Sequence, residues 1–326
     1  MQLWDIEPHP ELSLKGRLQN DEHGRALWVV VGKREWQFDG INWNPLQECD
    51  IFTEPQYMGE PGAAAQRIDH EFAYFKSNTD VILCGKARSY AKNPVTSHEC
   101  RLLIDGHIDK TLKVYGPRQW VEHGGSITIS RPSSFIEADI DYSYAIGGDE
   151  RNRMGCGVAN SNQQLLEQPV PRIFYPNEDW TATSKQTKVA GFGSVPPFFE
   201  SRQRLAGTFD DEWLENRKPT LPVDFDRRFY QTAPLDQQCK GHLSGGERIM
   251  MSGFCHDDTL TFRLPKTRYQ AEARFKDQTI TADMSIFTLF VDTETKKLSL
   301  TYTAAFPCQD KEHLLISTVI TNTQEA

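Results

Sequence analysis

The stretch CRLLIDGHIDKTLKVYG, residues 100–116, contains the clearest structural signal in the sequence. Asp105 and Gly106 lie between two runs in which apolar and polar side chains alternate. An Asp-Gly pair in this position supplies the positive φ angles of a tight hairpin turn. We therefore expect two antiparallel strands over residues 101–104 and 107–115.

Similar β-rich runs, bounded by Gly, Pro, Asn and Asp, recur along the chain, whereas helical periodicity is scarce. A second hairpin is expected in MSIFTLFVDTETKKLSLTYTAAF, with strands over 286–291 and 298–304. Further strands are expected at 27–31, 35–38, 81–84, 126–130, 259–264 and 314–321. The sequence predicts a mainly β protein with antiparallel, sandwich-like sheets in two lobes, a few short helices and long ordered loops.

One helix is expected in GTFDDEWLENRKPTLP, residues 207–222. Thr208 is placed to cap the amide of Asp211, acidic residues follow in the first turn, and Pro219 ends the helix. The buried face of this helix is expected to contain Phe209, Trp213 and Leu214.

The division of the chain into lobes is predicted from a change in composition. Strand patterns are lost between about residues 160 and 187, where Gln, Asn and Pro accumulate, which is typical of a polar linker. We expect an N-terminal β lobe over 1–187 and a C-terminal lobe over 188–326. A single integrated domain remains the alternative.

Composition narrows the classes of partner. The 326 residues have a net charge of −9, and no basic cluster with interleaved aromatic residues marks a nucleic-acid groove. The seven cysteines are scattered, which suits a reducing compartment. The first residues do not resemble a signal peptide, and no apolar run reaches membrane-spanning length. We expect a cytoplasmic protein that binds neither nucleic acid nor membrane.

Candidate chemical motifs are few. LSGGE, residues 243–247, is similar to an ATPase signature loop, but no phosphate-binding G-x-x-x-x-G-K-[ST] run accompanies it, so Gly245 and Gly246 are interpreted as a tight turn between short strands. No catalytic residue, metal site or cofactor is predicted. Asp224 and Asp226 are the carboxylates that a β-sandwich hydrolase of glycans would use. A carbohydrate-binding module is the other alternative and requires exposed aromatic side chains on a sheet face.

The most distinctive region, residues 191–238, is called the signature segment below. Its sequence is GFGSVPPFFESRQRLAGTFDDEWLENRKPTLPVDFDRRFYQTAPLDQQ. Five prolines restrict its backbone, and eight aromatic residues supply a large apolar area. Such a segment either packs on its own sheets or binds a partner through a few aromatic and arginine side chains.

The signature segment, together with HLSGGERIMMSGF and LTFRLP, resembles a bacterial family of type VI secretion accessory proteins that act as effector adaptors or chaperones. FKSNTDVILCGKA, KTLKVYGPRQW, YAIGG and LSLTYTAAFP extend the resemblance over most of the chain. The resemblance implies a non-enzymatic cytoplasmic protein that binds an effector toxin, often PAAR-linked, and helps to load it on the VgrG spike. Positions expected to matter for partner binding or for the signature are Trp213, Arg228, Phe229, Asp236, Gln237, Gly245 and Gly246.

Overall fold

The computed structural model describes residues 5–178, 187–257 and 259–323. Its strands, in chain order, are β1 (Asp5–Ile6), β2 (Ser13–Asn20), β3 (Ala26–Phe38), β4 (Trp43–Pro45), β5 (Gln56–Tyr57), β6 (Gln66–Ile68), β7 (Asp80–Cys84), β8 (Lys86–Arg88), β9 (Ser97–Ile104), β10 (Ile108–Tyr115), β11 (Trp120–His123), β12 (Ser126–Ile129), β13 (Glu137–Asp139), β14 (Ile146–Gly147), β15 (Cys156–Gly157), β16 (Ile173–Phe174), β17 (Arg248–Ser252), β18 (Leu260–Arg263), β19 (Tyr269–Phe275), β20 (Thr279–Asp292), β21 (Lys297–Pro307) and β22 (Leu315–Asn322). The α-helices within this part of the chain are short: α1 (Asn162–Leu166), α2 (Glu200–Gln203) and α3 (Asp211–Asn216). Short 3-10 turns occur at Tyr90–Lys92, Tyr142–Tyr144, Arg227–Tyr230, Leu235–Gln237 and Glu312–Leu314. The mainly β fold with few short helices is confirmed.

The larger sheet of the described residues has nine strands in the order β1-β22-β19-β20-β21-β3-β2, with β4 paired to β3 and β7 paired to β20. Its centre is the second predicted hairpin, β20–β21, which pairs antiparallel around a turn containing Lys296 at φ 54°. The two strands predicted over 27–31 and 35–38 form one continuous strand, β3. Lys33, between them, stays in the ladder opposite Thr301, and its charge is buried against Glu71.

The smaller main sheet contains the first predicted hairpin, β9–β10, in the order β16-β10-β9-β17-β18. Its turn spans three residues rather than two, since Ile104 pairs with Ile108, and only Gly106 has a positive φ. Side chains of β10 alternate between buried and more exposed positions, as the sequence pattern predicts. Lys110 occupies one of the buried positions.

The two main sheets share one hydrophobic core. Its largest cluster contains Leu102 and Leu112 from the smaller sheet and Val30, Leu289 and Leu300 from the larger one, all fully buried. The opposite face of the larger sheet is also covered, because Val29 and Val31 pack near Phe72 and Tyr74 in a separate cluster. This arrangement explains why β3 is buried on both faces.

The predicted boundary at residue 187 does not separate the sheets. The larger sheet combines β1 to β4 and β7 with β19 to β22, and the smaller one combines β9, β10 and β16 with β17 and β18. Each sheet therefore draws strands from both sides of the boundary. The expected linker at 160–187 also contains α1 and β16, with Ile173 and Phe174 buried, because β16 pairs with the edge of β10. Residues 179–186 of that region lie outside the described residues.

Candidate functional site

The signature segment is fastened to the sheets by buried polar contacts, the first of which centres on Lys110. The Lys110 side chain is 1% exposed, and its Nζ donates hydrogen bonds to the Gly191 carbonyl at 2.6 Å and to Gln237 Oε1 at 2.7 Å. Nζ also lies 2.8 Å from Asp236 Oδ1. The Gln237 amide donates in turn to the carbonyls of Val81 and Phe192. One lysine thus joins β10 to both ends of the segment.

The charge state of Lys110 reflects a competition between burial and pairing. Burial lowers the pKa of Lys110 from 10.5 to about 8, and the nearby Asp236 carboxylate offsets only part of that effect. Asp236 also accepts a 2.7 Å hydrogen bond from the Tyr175 hydroxyl, and its side chain is 37% exposed. The pair therefore lies at the border between core and solvent.

A second contact fixes the segment to β7. The Asp80 carboxylate is fully buried and is 2.6 Å from Lys76 Nζ. It accepts hydrogen bonds from the Gln231 side-chain amide at 2.8 Å and from the Thr232 backbone amide at 2.7 Å. On the edge of β7 that does not face β20, Leu83 pairs with Phe192 and Asp80 bridges to Gln238. The signature segment thereby covers an open sheet edge.

Two arginine contacts hold the middle of the segment. Arg202 is buried and lies 2.9 Å from Asp69, and its guanidinium also binds the Val195 and Phe229 carbonyls. Arg227 pairs with Glu22, in the loop between β2 and β3. These contacts span four separate stretches of the chain, so they orient an irregular segment that has no ladder of its own.

Between these anchors lie residues 205–226, which we call the distal loop. Asp226 N donates to the Leu205 carbonyl at its base, and the Asp224 carboxylate accepts hydrogen bonds from both the backbone and the hydroxyl of Thr208. The helix α3 is capped by Asp210, which accepts from the Trp213 amide, and not by Thr208 as predicted. Thr208 lies two residues before the N-cap position, because the helix begins at Asp211, and its hydroxyl donates to Asp224 instead.

The expected buried face of this helix is wrong for two of its three residues. Phe209 is 55% exposed and Leu214 is 52% exposed, whereas Trp213 is half-buried, with its ring 4.8 Å from that of Phe209. The helix has only six residues, and none of them is buried. Val223, next to the Thr208–Asp224 contact, is 81% exposed. The distal loop therefore presents Phe209, Leu214 and Val223 to solvent.

The distal loop is also acidic. It contains six carboxylates and two basic side chains, so its formal charge is −4. Two of the carboxylates hold turns of the loop, as Asp224 does with Thr208 and Asp226 with Arg228. An apolar and acidic surface of this kind is complementary to a partner that is apolar and basic.

The predicted site residues do not all lie in one place. Asp236 and Gln237 are brought together at Lys110, and Phe229 lies beneath the Arg202 guanidinium, 4.7 Å from its centre. Trp213 and Arg228 lie in or beside the distal loop. The Trp213 indole donates to the Thr220 carbonyl, and the exposed Arg228 makes a bidentate contact with Asp226.

Gly245 and Gly246 lie apart from these residues. Both have positive φ, and the Gly246 amide donates to the Leu264 carbonyl just beyond β18. The chain just before these glycines is not a strand, and β17 begins just after them. The expected turn between two strands is therefore a turn that leads into one strand. A side chain on Gly245 would meet the Pro265 carbonyl oxygen at 2.6 Å.

The carboxylates considered for a glycan hydrolase have structural contacts. Hydrogen bonds from the Thr208 backbone and hydroxyl lower the pKa of Asp224, and hydrogen bonds from Arg228 lower the pKa of Asp226. A general acid for glycoside hydrolysis needs a raised pKa. Among the described residues, the exposed aromatic side chains are Phe75, Tyr90 and Phe209, and each lies outside the strands.

The described ranges contain no group of three His, Cys, Asp or Glu side chains placed to hold a metal ion. No helix in the same ranges is both long enough and apolar enough to cross a membrane.

The central residue of the site, Lys110, was missed by the sequence predictions, although a signal for it exists. In IDKTLKV, residues 108–114, strict alternation places Lys110 on the same face as Ile108, Leu112 and Val114. A lysine on a buried face needs a partner, and that requirement indicates a buried polar contact. The identity of the partner does not follow from the pattern.

Comparison with known proteins extends over most of the chain. A family model described as an uncharacterized protein conserved in bacteria (DUF2169) matches residues 23–303, which include Lys110 and the whole signature segment. A search of curated proteins gave no match, and neither did a search of solved structures. Because the family model covers well over half of the 326 residues, the chain belongs to the DUF2169 family of conserved bacterial proteins.

Proposed function

We propose that this protein is a cytoplasmic, non-enzymatic adaptor that binds and stabilises a type VI secretion effector and aids its loading on the VgrG/PAAR spike. The proposal combines the resemblance of the signature segment to effector adaptors with one structural observation. The distal loop exposes Phe209, Leu214 and Val223 while buried polar contacts hold the segment on either side of it. Exposed apolar side chains on an ordered support are the usual anchors of a protein interface.

The buried contacts support this function because they lower the cost of binding. A loop that is already ordered loses less conformational freedom when a partner docks. The ion pair between Arg202 and Asp69 and the contacts of Lys110 restrict the segment before any partner arrives. The energy of the exposed side chains then contributes to affinity rather than to ordering the loop.

The negative charge of the distal loop supports a partner surface that is basic. The distal loop carries a formal charge of −4 within a chain of −9, which steers a basic surface towards it. A delivered effector has to be released again, so the interface is expected to be of standard size, roughly 1,200 to 2,000 Å² in total. The effector face that it covers is expected to combine apolar and basic side chains.

The first experiment tests the partner. The protein is affinity-tagged, expressed with the product of the neighbouring effector gene, and purified, and the effector is followed with and without the adaptor. We expect co-purification in a defined ratio and a shorter effector half-life when the adaptor gene is deleted. An effector that is equally stable and equally well delivered without this protein contradicts the proposal.

The second experiment tests the surface. The double variant Phe209→Ser, Leu214→Ser removes two exposed apolar anchors, and we expect at least tenfold weaker effector binding, about 1.4 kcal/mol or more. Ile316→Ser is the matched control, because Ile316 is 54% exposed but lies on β22, outside the signature segment. Both proteins should keep the wild-type melting temperature. Equal binding by the double variant and the control would place the interface elsewhere.

A further inference from the structure

One cavity is lined by residues of both main sheets, and its volume is about 330 Å³. The larger sheet contributes Phe38 at the end of β3, Trp43 of β4 and Val291 of β20. The smaller sheet contributes Met251 of β17 and Leu260 of β18. None of the described lining residues belongs to the distal loop. The cavity is therefore separate from the surface proposed for the effector.

The cavity extends from the surface into the core that the two sheets share. Met251, Phe254 and Val291 are buried and belong to the main hydrophobic cluster, whereas Trp43 and Leu260 are half-buried and pack against it. Native cores keep few spaces larger than a water molecule, and the ligand pockets of proteins begin at roughly 300 Å³. An apolar cavity of roughly 150 Å³ is enough to bind benzene. This cavity is about twice as large, so it has room for two fused rings.

The charges of the lining do not favour a ligand of either sign. The charged residues among the described lining residues are Asp257, Asp292 and Lys296. Arg67 neutralises Asp292, because the two side chains form an ion pair at 2.5 Å. Asp257 and Lys296 are exposed and have opposite charges. An uncharged ligand therefore fits this lining better than an ion does.

The walls favour an aromatic ring over an aliphatic chain. The lining contains the aromatic side chains of Phe38, Trp43 and Phe254 and the sulfur atoms of Met251 and Cys255. The rings of Phe38 and Trp43 are 5.1 Å apart and tilted by 37°. Aromatic rings attract one another in offset and edge-to-face arrangements, and sulfur atoms attract ring edges. Both kinds of ligand gain from apolar burial, but only an aromatic ligand gains these contacts as well.

We infer that this cavity binds an uncharged bicyclic aromatic molecule. The rings of this ligand pack against Met251 and Phe254 at the buried end and against Trp43 and Leu260 nearer to solvent. Pockets lined by hydrophobic and aromatic side chains are the usual sites of small molecules. Because the ligand contacts both sheets of the folded protein, its binding raises the stability of the fold. The inference is independent of the adaptor function, and the failure of either one leaves the other intact.

Calorimetric titration of the full chain with indole tests the inference. The control ligand is 1-octanol, which is also uncharged and has the same number of non-hydrogen atoms but no ring. We expect saturable binding of indole at one site, a melting temperature that rises with indole concentration, and at least tenfold weaker binding of 1-octanol. No binding of indole at millimolar concentration, or equal affinity for the two ligands, overturns the inference.

Alkylation of thiols in the wild-type protein tests the location of the site. Cys255 lines the cavity and Cys49 does not, and both are half-buried, whereas the other cysteines are buried. Indole at saturating concentration should slow the reaction of Cys255 with iodoacetamide at least tenfold and leave that of Cys49 unchanged. Peptide mass spectrometry measures both rates. Equal rates for Cys255 with and without indole overturn the assignment of the ligand to this cavity.

The variant Leu260→Trp fills the cavity from within the chain. The new side chain occupies the space that the ligand uses, so binding of indole should fall at least tenfold, while the free protein melts at or above the wild-type temperature. Leu166→Trp is the matched control, because Leu166 is 40% exposed and lies on α1, outside the lining. Unchanged indole binding by Leu260→Trp contradicts the assignment. If this variant is destabilised, the alkylation of Cys255 in the wild type decides the assignment instead.

Discussion

Lys110 and Asp236 are 126 residues apart in the chain, yet the Nζ and Oδ1 atoms are 2.8 Å apart. One residue belongs to β10 of the smaller sheet and the other to the signature segment, and the Lys110 side chain is buried while that of Asp236 reaches solvent. A buried charge contributes little net stability by itself, because desolvation offsets the attraction. The main consequence of the buried Lys110 charge is to position the signature segment, because the segment has to pass close to β10 to supply the hydrogen-bond acceptors of Lys110.

Asp236→Asn is expected to reduce the free energy of unfolding by about 1–2 kcal/mol, because a buried ammonium loses its counter-charge but keeps two other acceptors. Urea denaturation measures this change. Asp109→Asn is the control, since Asp109 forms an exposed pair with Arg101 on the same hairpin and should have little effect. If both substitutions are equally mild, the buried pair does not hold the segment.

The lowered pKa of Lys110 predicts a dependence of stability on pH. Between pH 8 and 10.5 the unfolded chain keeps a proton on Lys110 that the folded protein has lost, so the contribution of this residue to stability rises with pH across that window. Below pH 8 Lys110 is protonated in both states, so its contribution to stability does not change with pH. Other groups titrate in the same range, so the measured quantity is the unfolding free energy of wild type minus that of Lys110→Met. As the pH rises from 8 to 10, the wild type should gain stability relative to Lys110→Met. A difference that does not change with pH contradicts the prediction.

The contact between Glu22 and Arg227 predicts a second dependence, at acid pH. Burial alone would raise the pKa of Glu22, but hydrogen bonds from Arg227 and Tyr74 outweigh it and lower the pKa from 4.5 to about 2. The stabilisation by this contact is therefore complete above pH 4.5 and is lost as the pH falls towards 2. Glu22→Gln should be less stable than wild type at pH 6, and the gap should close by pH 2. A gap that does not change with pH would show that charge is not involved.

Gly245 and Gly246 are expected to respond differently to alanine. Both have a positive φ, which costs a residue with a side chain roughly 1–2 kcal/mol. A Cβ at Gly245 would also meet backbone atoms of Pro265 and Lys266, whereas at Gly246 it meets the flexible Lys266 side chain. Gly245→Ala should therefore lower the melting temperature more than Gly246→Ala does. Equal shifts in the two thermal unfolding curves would mean that the backbone near Pro265 moves to accept the side chain.

Some of this structure follows from local patterns. The hairpins β9–β10 and β20–β21 were predictable because alternation and turn residues act over a few positions. The mainly β class follows from the same signals. The parallel pairing of β7 with β20 was not predictable, since the two strands are about 200 residues apart and no local signal sets their direction.

Composition predicts two lobes but does not show which strands pair, and each main sheet contains strands from both sides of residue 187. The polar stretch at 160–187 was interpreted as a linker, yet β16 within it completes the edge of the smaller sheet. The short helix α3 is indicated by its acidic first turn, but the exposure of Phe209 and Leu214 depends on tertiary packing, which a local pattern does not show.

The sequence alone determined the mainly β class and the two hairpins, and its alternation marks a lysine on a buried face, because these features depend on residues close together in the chain. Only the tertiary structure decided that Lys110 meets Asp236 and Gln237 and that Asp80 holds Gln231. These contacts join residues far apart in the chain. Burial makes these contacts necessary, because a polar group removed from water is destabilising unless it has a hydrogen-bond partner in the fold or in a ligand.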